Sequence, residues 1–170
     1  MRSVSNTNCR RHGSWVAALI LALVGLAAPA AADDQVSYSA TEFVVITGMT
    51  RLPGGVQQFD TSLSGNATHL GTYTGTGSSL LDKKGNFTFT GCSTSSNGKD
   101  SVCFFISGLN QTTHGSCVSS STGTYTVTGG TGAFANATGS GTITSQTDAC
   151  TSTITVTTVY EGTISQPHSD

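Results

Sequence analysis

The sequence has little charge: 9% of its 170 residues are Asp, Glu, Lys or Arg, against about 25% in an average soluble domain. Three of its seven Lys and Arg residues, Arg2, Arg10 and Arg11, lie near the N-terminus, which leaves four for the rest of the chain against nine Asp and Glu. Those four are Arg51, Lys83, Lys84 and Lys99. They form no basic stripe that could neutralise phosphates, which argues against nucleic acid and an anionic membrane surface as partners.

Motifs that mark common enzymes and metal sites are also lacking. No Gly-x-Ser-x-Gly occurs, so a hydrolytic triad has no support. The segment from Gly130 to Ala135 imitates a dinucleotide fingerprint, but the residues after it cannot open the helix that would hold a pyrophosphate. Only His114 and Cys117 are spaced in the sequence as a pair of metal ligands could be, and no Cys-x-x-Cys motif accompanies them. We therefore predict neither a metal nor a cofactor.

The N-terminal residues have the pattern of an export signal. Arg2, Arg10 and Arg11 precede an apolar run over 15–28, which ends in Ala30-Ala31-Ala32. A basic segment, a short apolar run and small residues before the cleavage point are typical of a signal peptide. We predict a cleaved helical signal peptide over residues 1–32, export by the general secretory pathway, and a domain over residues 33–170 that is periplasmic or extracellular.

Four cysteines follow the predicted signal peptide, namely Cys92, Cys103, Cys117 and Cys150. An even number of cysteines in an exported chain indicates disulfide bonds, here two bridges with three possible connectivities.

The clearest folding signal lies over residues 123–144. Tyr125 and Val127 alternate with threonines, which predicts a strand, and Gly129, Gly130 and Gly132 then predict a reversal before alternation resumes at Ile143. Further strands are predicted at Val36–Gly48, Val56–Leu63, Ala67–Gly77, Gly85–Cys92, Ser101–Ser107 and Ser152–Ile164, with a polar connection over Gly108–Ser121. Without a helix after the signal peptide, we predict an all-β fold: one eight-stranded antiparallel up-and-down β-barrel.

Strand order in such a meander restricts the disulfide pairing. Cys92 and Cys103 lie at one end of the predicted barrel, and Cys117 and Cys150 lie in turns at the other end. Bridged Cα atoms lie within about 7 Å of each other, so we predict the bridges Cys92–Cys103 and Cys117–Cys150.

One carboxylate falls where the pattern predicts an apolar residue. Glu42 shares a face of the first strand with Tyr38 and Val44, and an inward carboxyl would have a raised pKa suited to acid or base chemistry. We expect Tyr38, Tyr73, Tyr125 and Tyr160 to line a cavity with it. The alternatives are that a bulge turns Glu42 to solvent and that the tyrosines are core residues.

The glycine-rich turn carries a family resemblance. Residues 129–141, which include Phe134, resemble the turn signature of the barrel superfamily of allene oxide cyclases, dirigent proteins and secreted bacterial proteins, and residues 68–75 are a weaker echo. The resemblance implies an eight-stranded antiparallel barrel with a small interior cavity. Plant dirigent proteins usually read Ala-Arg-Gly where this chain has Ala137-Thr138-Gly139, so no catalytic set carries across.

Three functions follow as hypotheses. The first is an exported barrel that binds a small, mostly apolar molecule in its interior. The second, implied by the resemblance, is a cofactor-independent cyclase or isomerase in which Glu42 is catalytic. The third is a structural or surface-interaction module whose interior is filled by side chains.

Overall fold

The computed structural model describes residues 34–168, so the predicted signal peptide lies outside the described residues. Eight strands follow one another, and no α-helix occurs among the described residues. The strands are β1 (Gln35–Arg51), β2 (Gln57–Ala67), β3 (Gly71–Leu81), β4 (Asn86–Ser95), β5 (Ser101–Thr112), β6 (Val118–Thr131), β7 (Gly139–Asp148) and β8 (Thr155–Ser165). Short 3-10 turns lie at Pro53–Gly55 and Gly132–Phe134.

The strands form a closed barrel in sequence order. Each strand pairs antiparallel with the next, and β1 pairs with β8 from Gln35 opposite Ser165 to Val45 opposite Thr155. Closure leaves neither β1 nor β8 with an unpaired edge. The predicted eight-stranded antiparallel up-and-down barrel is confirmed.

Side chains on β1 alternate as its sequence predicts. Tyr38, Ala40, Glu42 and Val44 are buried, whereas the residues between them are exposed. Because successive residues of a strand face opposite sides of a sheet, the first set points into the barrel.

The strand ends differ from the sequence prediction in several places. The predicted polar connection Gly108–Ser121 is mostly strand, because β5 continues to Thr112, β6 begins at Val118, and the two pair from Gly108 opposite Gly123 to Thr112 opposite Ser119. The inner face of this segment also carries polar side chains. Apolar and polar residues therefore do not alternate along it, and the sequence lacks the pattern that predicts a strand. The second strand extends beyond Leu63 to Ala67 and the fourth beyond Cys92 to Ser95, while the third begins at Gly71 and the eighth at Thr155.

The glycine-rich turn begins later than predicted. Gly129 and Gly130 belong to β6, where a register shift opposite Cys103 and Phe104 marks a bulge. The reversal starts at Gly132, whose φ of 60° favours glycine. Phe134 follows in the 3-10 turn and is 2% exposed.

Both predicted disulfides are present. Cys92 and Cys103 are directly opposite each other on β4 and β5, with Cα atoms 4.0 Å apart. Cys117 and Cys150 join two turns at the other end of the barrel, with Cα atoms 5.0 Å apart. The predicted pairing is therefore confirmed.

One end of the barrel is filled by packed side chains. We call it the closed end; it carries the turns 68–70, 96–100 and 132–138. Four aromatic rings, from Tyr38, Phe104, Tyr125 and Tyr160, contact one another inside it with ring centroids 5.7–5.9 Å apart. Such tilted and edge-on contacts stabilise aromatic clusters beyond the burial of their area. The interior of this half is a packed core.

We predict that the two bridges contribute unequally to stability. Removing Cys92–Cys103, which spans 11 residues, should lower the free energy of unfolding by about 3 kcal/mol, and removing Cys117–Cys150, which spans 33, by about 4 kcal/mol, since the longer loop restricts the unfolded chain more. Urea unfolding of the two paired Cys→Ala variants at the same pH measures both. Either variant unfolding like the parent would contradict the prediction.

Candidate functional site: a buried carboxyl at the floor of a cavity

Glu42 lies inside the barrel, with Gly65 of β2 opposite it on one side and Thr158 of β8 on the other. Its side chain is 4% exposed. The bulge in β1 lies between Ile46 and Gly48, beyond Glu42, so the inward register at Glu42 is undisturbed. Glu42 therefore points inward, and the alternative in which a bulge turns it to solvent is wrong, while its catalytic role stays a prediction.

Two tyrosines hold the carboxyl group of Glu42. The Tyr73 hydroxyl donates to Oε2 at 3.2 Å, and the Tyr160 hydroxyl donates to Oε1 at 3.0 Å. Tyr73 reaches Glu42 from β3 by crossing β2 over Gly65, where an added Cβ would lie 2.6 Å from the Tyr73 hydroxyl. Glycine at position 65 therefore lets the ring pass.

Burial determines the electrostatics of this group. Desolvation raises the pKa of Glu42 to about 6, although the hydrogen bonds from Tyr160 and Tyr73 lower it. The lysines and the arginine among residues 34–168 are all exposed. Glu42 thus takes both protonation states near neutral pH, which suits a group that donates or accepts a proton.

Burial also raises the pKa of both tyrosines well above the usual range, and the nearby carboxylate of Glu42 adds to the shift. Tyr73 and Tyr160 therefore stay protonated and keep donating to Glu42.

A cavity of about 220 Å³ occupies the half of the barrel opposite the closed end. We call that half the open end; it carries the turns 52–56, 82–85, 113–117 and 149–154. Glu42 and Tyr160 lie at its inner end, next to the packed core. Most of the wall is apolar, including Val44, Ile46, Phe59, Leu81, Phe87, Phe89, Ile106, Ile143, Ile154 and Val156.

The structure separates the five residues that were expected to line a cavity. Glu42 and Tyr160 line this one. Tyr38 and Tyr125 belong to the aromatic cluster of the closed end, where the Tyr125 hydroxyl donates to the Thr163 carbonyl at 3.3 Å. Burial raises the pKa of Tyr125 to about 12 and that of Tyr38 further. Tyr73 reaches the site through its hydroxyl alone.

Sequence reasoning missed the polar side chains of the wall. The wall includes hydroxyl and amide side chains from six strands, namely Thr61, Ser79, Asn110, Ser121, Ser145, Thr147 and Thr158. Serine and threonine also occupy the outer face of most strands, so residue type alone does not mark the inward ones. Residues two apart on a strand face the same side of the sheet. Ser145 therefore points inward with the buried Ile143 of β7, and Thr158 points inward with the buried Tyr160 of β8.

No protein-family model matches the chain, and searches of curated proteins and of solved structures found no match. Within residues 34–168, no group of three or more His, Cys, Asp or Glu side chains is arranged to hold a metal ion. The same residues contain no helix that is long and apolar enough to span a membrane.

The raised pKa of Glu42 predicts a pH-dependent stability difference. The native state holds the Glu42 proton more tightly than the unfolded chain does. The contribution of this proton to the free energy of unfolding is therefore complete below about pH 4.5 and is lost as the pH rises through about 6. As the pH is raised from about 4 to about 8, the free energy of unfolding of Glu42→Gln should increase by about 2 kcal/mol relative to that of the parent. Urea unfolding across this range measures the difference.

Glu161→Gln is the matched control, because Glu161 is an exposed glutamate on the outer face of β8. If the stability of Glu42→Gln parallels that of the parent at every pH, burial of this carboxyl has no energetic consequence and the account of the site is wrong.

Proposed function

We propose that the protein is an exported β-barrel that binds a small, mostly apolar molecule in the cavity of its open end. The observation that carries the proposal is the contrast between the two halves of the interior: one is filled by an aromatic cluster, and the other encloses about 220 Å³. The interior of an eight-stranded barrel is either filled by its own side chains or holds one small ligand. A barrel acting only through its outer surface has no need of this space.

The lining indicates the kind of ligand. Phe59, Phe87 and Phe89 supply broad apolar surface, and polar groups are fewer, as in most small-molecule sites. The volume lies below the roughly 300–1,000 Å³ of drug-sized sites. The ligand is therefore compact, and its burial against these side chains provides most of the affinity.

The disulfides bear on the compartment. Two disulfide bonds are compatible with an oxidising periplasmic or extracellular environment. Together with the signal peptide predicted over residues 1–32, they support export as part of the proposal.

Filling the cavity tests the proposal. Val156 lines the cavity, whereas Val159 of the same strand is 39% exposed, so Val156→Phe and Val159→Phe add the same atoms inside and outside the barrel. With the neutral compact alcohol p-menthan-8-ol as probe, we expect calorimetric titration to show binding to the parent and to Val159→Phe, and at least about tenfold weaker binding to Val156→Phe.

Thermal unfolding of both variants serves as the check that they fold. Equal affinity of the two variants, or no binding to the parent, would contradict the proposal.

A second candidate is a cofactor-independent cyclase or isomerase of the allene oxide cyclase type. The observation that favours it is a carboxyl with a pKa of about 6, held by two tyrosine hydroxyls at the cavity floor. An isomerisation needs no net oxidant, reductant or proton. Protonated Glu42 can donate a proton to a substrate oxygen, and its carboxylate can take one back from carbon.

For this candidate we predict that Glu42→Gln retains binding and loses turnover, because glutamine keeps the shape of glutamate but does not exchange the proton. With an allene oxide as substrate, formation of the cyclised product should fall about a hundredfold or more. Product analysis by chiral chromatography measures it, with Glu161→Gln as the control. Turnover by Glu42→Gln at the parent's rate would eliminate the acid or base role.

A further inference from the structure

Hydrogen-bonding side chains are unevenly distributed around the wall of the cavity. Strands β2, β3 and β4 contribute the apolar Phe59, Leu81, Phe87 and Phe89, together with the hydroxyls of Thr61 and Ser79. Strands β5 to β8 and β1 contribute most of the hydrogen-bonding side chains, next to apolar residues such as Ile106, Ile143 and Val156.

The hydrogen-bonding side chains form one continuous row across five strands. Glu42 of β1 is opposite Thr158 of β8, Thr158 is opposite Ser145 of β7, Ser145 is opposite Ser121 of β6, and Ser121 is opposite Asn110 of β5. All five residues line the cavity. We call them the polar row.

The polar row leads from the mouth of the cavity to its floor. Asn110 lies two residues before the end of β5 at the open end, while Glu42 lies near the middle of β1 beside the packed core. Neighbouring strands are about 4.8 Å apart. The backbone positions of the row therefore step by about 5 Å from strand to strand along one side of the cavity.

Members of the row bind one another and still have capacity for a ligand. The Ser145 and Thr158 hydroxyls are 3.0 Å apart, and the Ser121 hydroxyl donates to Asn110 Oδ1 at 3.3 Å. Each hydroxyl offers one donor and two acceptor positions, and the Asn110 amide has two donors, so positions remain after these bonds. Apart from Glu42, the row carries no charge.

From this arrangement we infer that the ligand is a neutral amphipathic molecule, with one apolar edge and, along the opposite edge, two or more hydroxyl or carbonyl oxygens. The apolar edge packs on the phenylalanines of β2 and β4, and the oxygens bind the polar row. The inference rests on the proposed function, since it requires that the cavity binds a ligand.

A pair of probes tests this inference. The compounds p-menthan-8-ol and p-menthane-1,8-diol share a carbon skeleton, and the diol adds a second hydroxyl on the opposite side of the ring. The parent should bind the diol more tightly, by roughly two- to tenfold, the range that one net hydrogen bond gives. Without the polar row the diol should bind more weakly, because its extra hydroxyl loses water on entering the cavity.

The matched variants are Thr158→Val and Thr157→Val, which make the same replacement of hydroxyl by methyl on the inner and outer faces of β8. Calorimetric titration of both probes should show that Thr158→Val loses the preference for the diol and still binds the mono-alcohol, while Thr157→Val behaves like the parent. Ser121→Ala, elsewhere in the row, should also reduce the preference and provides the test if Thr158→Val does not fold.

Equal affinity of the parent for the two probes, or a preference for the mono-alcohol, would overturn the inference and leave the proposed function standing. A preference for the diol that persists in both Thr158→Val and Ser121→Ala would also overturn it. Failure of the parent to bind either probe would contradict the inference and the proposed function together.

Discussion

Closure of the barrel by the pairing of β1 with β8 is the constraint on which the rest of the structure depends. It gives β1 a partner on each side and therefore fixes which face of every strand is enclosed. Glu42 becomes an interior residue because of that pairing, and so do Thr158 opposite it and the other members of the polar row. A shift of one residue in the β1–β8 register would turn Glu42 to solvent and bring its exposed neighbour Phe43 inside.

The interior that closure creates is divided between packing and space. The aromatic cluster fills the closed end, and the sheet walls of the open end enclose the cavity. Glu42 lies at the boundary, where the tyrosine hydroxyls satisfy its oxygens without a cation. A carboxyl group in this position costs stability when it ionises. Departures of this kind from a purely apolar interior are concentrated at functional sites, which agrees with the binding and acid or base roles proposed for it.

Much of the fold could be predicted because alternation, glycine turns and cysteine positions are local signals. The register of β1 placed Glu42 inside, and the meander order paired Cys92 with Cys103 and Cys117 with Cys150. The cavity could not be predicted residue by residue, since tyrosines of the core and of a cavity wall look alike in sequence. Tyr125 and Tyr160 both point inward, and only the three-dimensional packing shows that Tyr160 borders the cavity. The polar row was hidden for a related reason, because serine and threonine occur on both faces of the strands.

Glu42 carries a buried, protonatable carboxyl at the cavity floor, and the glutamate content of the chain allows a direct test of its titration. Glu42 and Glu161 are its only two glutamates, so carbon-13 labelling of the glutamate carboxyls gives two nuclear magnetic resonance signals, which Glu161→Gln assigns. We expect the Glu42 signal to titrate with a midpoint of about 6. A midpoint at or below about 4.3, the ordinary value for a glutamate, would contradict it.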